Sequence, residues 1–418
     1  MKHKKLYMGL AIGTLATGLL INQAEAVPSF ARQTGLACAA CHTVFPELNA
    51  FGRSFKLNGY TLTGITQVQA KESKTASGLS FDQIPPLSAM LQVTAVNQKG
   101  ADPSTNVYLP EQLSFFFAGE ISPHMGSFIQ MTMESDGQNA SASSFGLDNT
   151  DIRYANHAGD VTYGFTLNNG PTVQDLWNST PAWGFPFTGG ADTTTSPAIS
   201  ADIIQTQVAG LGAYADWGNG IYTELTMYRD TGVLDGGSGG IVYGNPVRIN
   251  GYAPYYRLAW HNTFSNGDYL MVGVYGMQTK LVDATNYTGS ANKYDDNAVD
   301  LQYEHPFASN NMLSVHASYT NEKRTLDLSG GATPTLKSMN LNAIYHWGYR
   351  ATAALGYLNN TGDNGNYDDT AWTGQVSYLP WQNTKFTAQY VSYTKVGGQT
   401  GSAASDNNTL ELQAWLMW

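Results

Sequence analysis

The chain has 418 residues, of which 13% are charged and 12% aromatic, and its formal net charge is −11 at pH 7. This acidity argues against nucleic acid as a partner and suits the attraction of small cations. Its two cysteines, Cys38 and Cys41, share one motif, which excludes a disulfide framework apart from a strained bridge between them. The mean hydropathy is −0.26, and after residue 21 no apolar run approaches the ~20 residues of a spanning helix. A membrane contact would therefore be made by a β-barrel or by a surface.

The first residues have the features of an export signal. Three lysines within the first five residues precede an uncharged apolar run over 6–21, and Ala-Glu-Ala at 24–26 supplies a small-x-small cleavage pattern. We predict a signal peptide over 1–26 and a mature chain that starts near Val27. Its removal takes away three lysines and one glutamate, which leaves a net charge of −13. An uncleaved anchor is the alternative, although the apolar run is short for a span.

The sequence Cys-Ala-Ala-Cys-His at 38–42 is a C-x-x-C-H motif, the attachment signature of c-type haem. Two thiols at this spacing reach both vinyl groups of the porphyrin, and the adjacent imidazole meets the iron from the same face. We therefore predict one covalent haem c on Cys38 and Cys41, with His42 as an axial ligand of the iron. The alternatives are a redox dithiol, whose βαβ context is missing, and a zinc half-site, which needs a fourth ligand from elsewhere.

The second axial ligand is not fixed by the motif. Between Thr43 and Ala89 the chain contains no methionine and no further histidine. Met90 is the first candidate, and a methionine opposite a histidine raises the haem potential. Three later histidines fall on the polar faces of predicted strands and are further candidates: His261, His316 and His346. An open site is the remaining alternative.

We assign residues 27–65 to a haem-binding segment and 66–85 to a polar linker. Pro46 suits the first turn of a helix, and an apolar stripe follows it at Leu48, Phe51 and Phe55. Phe45, Phe51 and Phe55 are candidates for an apolar wall around the haem. Three cations could pair with its propionates or lie solvated on the surface: Arg32, Arg53 and Lys56.

From residue 86 to residue 418 the dominant period is two, which is typical of strands with one polar and one apolar face. We predict sixteen strands, near residues 87–97, 112–121, 127–135, 148–157, 161–169, 204–216, 220–229, 252–264, 268–278, 297–305, 311–321, 335–347, 350–358, 370–378, 384–394 and 407–418. Short links alternate with long ones at 98–111, 170–203 and 230–251, as in bacterial outer-membrane barrels. We therefore expect a mainly β fold, a barrel of about sixteen strands in the outer membrane with its apolar face toward lipid.

The stretch over 28–35 (Pro-Ser-Phe-Ala-Arg-Gln-Thr-Gly), followed by 45–48 (Phe-Pro-Glu-Leu), 51–53 (Phe-Gly-Arg) and 55–60 (Phe-Lys-Leu-Asn-Gly-Tyr), resembles the fused monohaem cytochrome–porins of iron-oxidising bacteria. A second matching stretch runs over 168–177 and continues at 181–185 (Pro-Ala-Trp-Gly-Phe). The rest of the barrel matches by pattern only.

This resemblance implies an outer-membrane electron conduit that takes electrons from extracellular Fe(II) and passes them to periplasmic c-type cytochromes. It would act as an Fe(II) oxidase through one haem. Two other functions remain: a porin or receptor with a redox-sensing haem domain, and a soluble periplasmic electron carrier.

Overall fold

The computed structural model of this chain describes residues 28–62, 86–134, 145–180, 196–231, 241–243, 245–283, 289–327, 330–362 and 367–418. The signal peptide predicted over 1–26, the linker over 66–85 and the motif at 181–185 lie outside these ranges. None of the helices in the described residues is long and apolar enough to cross a membrane.

Sixteen antiparallel strands form a closed barrel. They are β1 Leu87–Gln98, β2 Thr105–Ser122, β3 Met125–Glu134, β4 Gly146–Ala158, β5 Val161–Asn168, β6 Val208–Trp217, β7 Ile221–Asp230, β8 Ala253–Thr263, β9 Tyr269–Asp283, β10 Ala291–Pro306, β11 Met312–Leu326, β12 Thr335–Trp347, β13 Ala351–Gly362, β14 Thr370–Trp381, β15 Thr384–Lys395 and β16 Thr409–Met417. Each strand pairs with the next along the chain. The barrel closes between β16 and β1, where Met417 lies opposite Met90.

The predicted alternation of faces is confirmed. On β10, Val299 is 51% exposed while Asp300 is 3% exposed, and on β16 Leu412 points outward while Glu411 is fully buried. Leucine, valine and aromatic side chains cover the outside, whereas carboxylate, amide and hydroxyl groups fill the inside. An apolar exterior around a polar interior is the arrangement of a barrel that lies in lipid.

The links between strands are short at one end of the barrel and long at the other, as expected. Residues 123–124, 159–160 and 382–383 make tight turns at the short-turn end. The link expected over 98–111 is not a long loop, because β2 begins at Thr105 and pairs there with Asn97. The proline in this segment is tolerated because Pro110 lies at a register shift, where the ladder does not need its missing N–H.

Short elements complete the described part of the chain. The helices are α1 Pro28–Thr34, α2 Cys38–Cys41, α3 Ala50–Leu57, α4 Pro171–Gln174 and α5 Ser402–Ser405, with a π-helical turn at Ile199–Ile203 and a 3-10 turn at Ala308–Asn310. A two-stranded ribbon joins His42–Val44 to Glu47–Leu48, and a hairpin of Ile241–Tyr243 and Asn245–Ile249 pairs with the end of β9.

The prediction that Pro46 opens a helix is wrong. Pro46 lies in the turn of the two-stranded ribbon, and α3 begins at Ala50 because Asn49 caps it, accepting a hydrogen bond from the Gly52 N–H at 3.0 Å. An asparagine at the N-cap satisfies a helix donor that a proline cannot reach.

Candidate functional site

The segment over 28–62 lies inside the barrel lumen at the short-turn end. Its residues contact the wall on several sides of the barrel. The Arg53 guanidinium pairs with the Glu304 carboxylate of β10 at 2.5 Å, and the Tyr60 hydroxyl donates to Asp151 of β4 at 2.7 Å. The Cys38 N–H donates to the side chain of Gln382, in the turn before β15, at 2.9 Å. The segment therefore fills the lumen from side to side.

A second segment, over 171–180, folds into the lumen against the first. The Trp177 indole donates to the Tyr269 hydroxyl at 2.6 Å. The Asn178 side chain makes two hydrogen bonds to the Leu48 backbone. Its Nδ2 donates to the Leu48 carbonyl, and its Oδ1 accepts from the Leu48 N–H, both at 3.0 Å. Most of the second stretch that resembles cytochrome–porins (168–177) is thus buried beside the C-x-x-C-H motif.

A cavity of about 1220 Å³, including its opening to solvent, lies between these two segments and the wall. Its lining is mostly apolar and includes Cys38, Cys41, His42, Phe45, Phe55, Met90, Trp177, Trp415 and Met417. Phe45 and Phe55 therefore line it as expected, whereas Phe51 does not and is 41% exposed.

The motif residues lie on α2 and directly after it. Neither cysteine is in a disulfide, and burial raises the pKa of Cys41 to about 11, so this thiol stays protonated at neutral pH. The Nδ1 atom of His42 lies 3.1 Å from the Glu47 carbonyl oxygen. A backbone carbonyl at one ring nitrogen is the usual partner of a metal-bound histidine, since it fixes the tautomer that leaves Nε2 for the metal.

Burial lowers the pKa of His42, and the nearby Lys385 charge acts in the same direction, although hydrogen bonds to the backbone oppose both effects. The imidazole is therefore neutral near pH 7, the form in which histidine binds metals.

Two methionines reach the cavity. Met90 on β1 and Met417 on β16 are a directly opposed pair in the barrel wall, and both line the cavity with His42. Met417 was not singled out in the sequence. The alternation of β16 could have identified it, because Gln413 and Met417 share the inward face.

The three histidine candidates have other partners. The carboxylate of Glu47 lies between His316 and His346, with its oxygens 3.4 and 3.2 Å from their Nε2 atoms. Burial alone would raise the pKa of Glu47, but the two imidazoles outweigh it and lower the pKa to about 2. His261 lies 2.9 Å from Asp216. None of these histidines lines the cavity.

Of the three cations considered for haem propionates, only Lys56 lines the cavity. Its Nζ donates to the carbonyls of Val173 and Asp175 at 2.5 and 2.7 Å, and burial lowers its pKa to about 8. Arg53 is engaged with Glu304, and Arg32 donates to the Leu87 carbonyl.

No protein-family profile and no curated protein matches the chain in sequence. In structure the chain is similar to OmpF of Salmonella typhi, solved in complex with daunomycin, with 13% identity and a TM-score of 0.51 over 79% of this chain and 97% of that one. It is also similar to the anion-selective porin from Comamonas acidovorans, with 13% identity and a TM-score of 0.50 over 79% and 98% of the two chains. The fold is that of a bacterial porin. With its apolar exterior, this closed barrel belongs to the outer membrane.

Proposed function

We propose that this protein is an outer-membrane electron conduit that carries one haem c on Cys38 and Cys41, oxidises extracellular Fe(II) and passes the electrons to periplasmic c-type cytochromes. The observation that carries the proposal is the position of the C-x-x-C-H motif. Cys38, Cys41 and His42 line a large apolar cavity inside a membrane-spanning barrel. A redox cofactor held there would shorten the path of an electron across the ~30 Å hydrocarbon layer.

The residues of the cavity fit a covalent haem. The thiols of Cys38 and Cys41 lie one helical turn apart, neither is in a disulfide, and they would form the two thioethers. His42 is oriented by the Glu47 carbonyl and would ligate the iron through Nε2. Aromatic and methionine side chains exclude water from the space beside them, and Lys56 offers a cation at its polar side. When bound, the haem would supply a centre that takes up and releases one electron, which matches the one-electron donor Fe(II).

Met90 is our proposed second axial ligand. Its side chain is 2% exposed, lines the cavity and has one polar contact, from the Gln92 amide to its sulfur at 3.8 Å. A thioether there would raise the haem potential, which the oxidation of Fe(II) requires.

The cavity lies at the short-turn end of the barrel, which faces the periplasm in bacterial outer-membrane proteins. Along β1, the distance from Met90 beside the cavity to Gln98 at the long-loop end of the barrel is about 26 Å. Buried aromatic rings occupy the lumen in that direction. The Arg257 guanidinium lies 4.9 Å from the Trp177 ring and 5.4 Å from the Tyr275 ring, and Tyr255 follows with its ring centroid 6.3 Å from that of Tyr275. The position of the cavity at the short-turn end favours delivery of electrons from a haem bound there to a periplasmic acceptor.

A porin or receptor with a redox-sensing haem is the second candidate, and the likeness of the barrel to solved porins favours it. The contents of the lumen argue against a porin that passes solutes, because the segments over 28–62 and 171–180 lie in it and are bonded to each other and to the wall. Rapid haem reduction by Fe(II) without solute flux would support the conduit, whereas solute flux that follows haem oxidation would support the sensor. A soluble periplasmic carrier does not agree with an apolar barrel exterior.

Two measurements test the proposal on the purified protein. After denaturing electrophoresis, the wild-type band should stain for haem, and the double variant Cys38→Ala/Cys41→Ala, which loses both thioethers, should make the haem extractable with acid-acetone. In stopped-flow spectroscopy, Fe(II) should reduce the wild-type haem rapidly. A wild-type band without haem stain would contradict the attachment, and a haem that Fe(II) leaves oxidised while another donor reduces it would contradict the role in iron oxidation.

A further inference from the structure

Lys385 is a buried cation beside the cavity. It lies on β15 near the short-turn end and is 5% exposed. Its Nζ donates a hydrogen bond to the Phe45 carbonyl at 2.9 Å, and it lies 4.3 Å from the ring centroid of Trp415 and 5.1 Å from that of Phe45. Both rings line the cavity. One layer of aromatic side chains therefore separates the ammonium group from the space beside His42.

No carboxylate in the described part of the chain forms an ion pair with Lys385. Glu47, a buried carboxylate of the same segment, is engaged by His316, His346 and the Thr43 hydroxyl. The buried arginines of the lumen have acidic partners, such as Glu304 for Arg53 and Asp151 for Arg153. Lys385 thus differs from them in placing a positive charge against aromatic rings and one carbonyl only.

A buried charge without an ionic partner costs several kcal/mol relative to water, and cation–π contacts offset only part of that cost. A methionine or leucine would fill the same volume without the cost. Costly buried charges occur mostly where a function uses the field that they create.

We infer that Lys385 raises the reduction potential of the redox centre bound in the cavity, because it stabilises the reduced state of that centre. This inference rests on the proposed function. Oxidation adds one positive charge to the centre, and the protonated form of Lys385 nearby opposes that charge. The effect is strong because the surroundings are apolar and the local dielectric is low. The Lys385 charge therefore raises the reduction potential, in the direction that favours electron uptake from a mild reductant.

The test is a spectroelectrochemical titration of the haem in Lys385→Met, which removes the charge and keeps a similar volume. We expect reduction to become about tenfold less favourable, a drop of 59 mV for a one-electron couple. Lys385→Arg keeps the charge and should stay close to the wild-type potential. Lys99→Met removes the same charge from an exposed position at the long-loop end, with a side chain that is 57% exposed, and should leave the potential unchanged.

Lys385→Gln keeps an N–H donor for the Phe45 carbonyl and decides the question if the Met variant does not assemble. The inference is overturned if haem-loaded Lys385→Met or Lys385→Gln has the wild-type potential. It is also overturned if the potential of Lys385→Arg drops as far as theirs. Failure of the proposed function gives a different result, because a wild-type protein without covalent haem would show no haem couple at all.

Discussion

At the scale of single residues, Gly52 shows why the haem segment needs its particular sequence. A Cβ atom at this position would lie 2.2 Å from the carbonyl oxygen of Cys41 and 3.1 Å from the Leu48 side chain. The first distance is too short for a carbon atom and is to backbone, which cannot rotate away, whereas the second is tight and would require the Leu48 side chain to shift. Only glycine lets α3 pack directly on the helix that carries the two thiols.

We therefore expect Gly52→Ala to displace α2 and to cost about 1–3 kcal/mol of stability in this segment through overpacking. The measurement is the haem-to-protein ratio of the purified protein, which should fall. Gly374→Ala is the matched control, because a Cβ there meets no atom within 4 Å. Normal haem loading in Gly52→Ala would show that the contact with Cys41 does not matter for attachment.

The pair of methionines allows the second axial ligand to be tested against a neighbour of the same type. Met90→Leu should change the absorption spectrum and lower the haem potential, because it removes the sulfur that we assign to the iron. Met417→Leu makes the same change on the opposed strand and should leave both unaltered. A spectrum that changes in Met417→Leu alone would assign the ligand to Met417. If neither variant changes the spectrum, both methionines are excluded as ligands of the iron.

At the scale of elements, the pair of Arg53 and Glu304 is a buried ion pair that joins the segment over 28–62 to the barrel wall. Both side chains are less than 10% exposed, and two hydrogen bonds join them at 2.5 and 3.1 Å. The Arg53 guanidinium also stacks on the Tyr269 ring at 4.3 Å. Breaking a buried pair from one side leaves an uncompensated charge and costs about 3–5 kcal/mol.

Arg53→Met should therefore loosen α3 and open a path for ions through the lumen. Single-channel recording in planar bilayers should show rare or absent openings for the wild type and frequent openings for the variant. Lys99→Met is the control, because it breaks an exposed pair with Asp406. A wild-type channel that conducts as freely as Arg53→Met would contradict the view that this segment closes the barrel.

The elements differ in how well their sequences predict them. Strand number and facing follow from local alternation, so each of the sixteen predicted strands overlaps an observed one, although β2 and β10 begin six to seven residues earlier than predicted. Thr105–Pro110 were not predicted as part of a strand, and the start of α3 was missed because Pro46, which suits a first turn, competed with the cap at Asn49. The C-x-x-C-H motif could be recognised from the sequence because its spacing alone is typical of c-type haem attachment. The cavity and the positions of Met417 and Lys385 could not be predicted, because they depend on contacts between residues that are far apart in sequence.

At the scale of the whole molecule, the acidity of the chain bears on its donor. The net charge of −11, or −13 after the cleavage predicted at residue 26, should attract Fe²⁺ and repel anionic reductants, and salt should screen this attraction beyond about 10 Å at 0.1 M. We expect the second-order rate of haem reduction by Fe(II) to fall as ionic strength rises, and the rate with an anionic reductant such as dithionite to rise. Stopped-flow traces over a range of salt concentrations check both. Equal salt dependence for the two reductants would rule out electrostatic attraction of Fe²⁺.

The most direct test of the conduit uses the protein in sealed vesicles that contain oxidised cytochrome c and an anionic dye, with Fe(II) added outside. The account predicts that wild-type protein lets the trapped cytochrome become reduced while the dye stays inside, and that His42→Ala, with the barrel still assembled, does not. Trapped cytochrome that stays oxidised although the wild-type protein carries its haem, or dye that leaks out as the cytochrome is reduced, would contradict it.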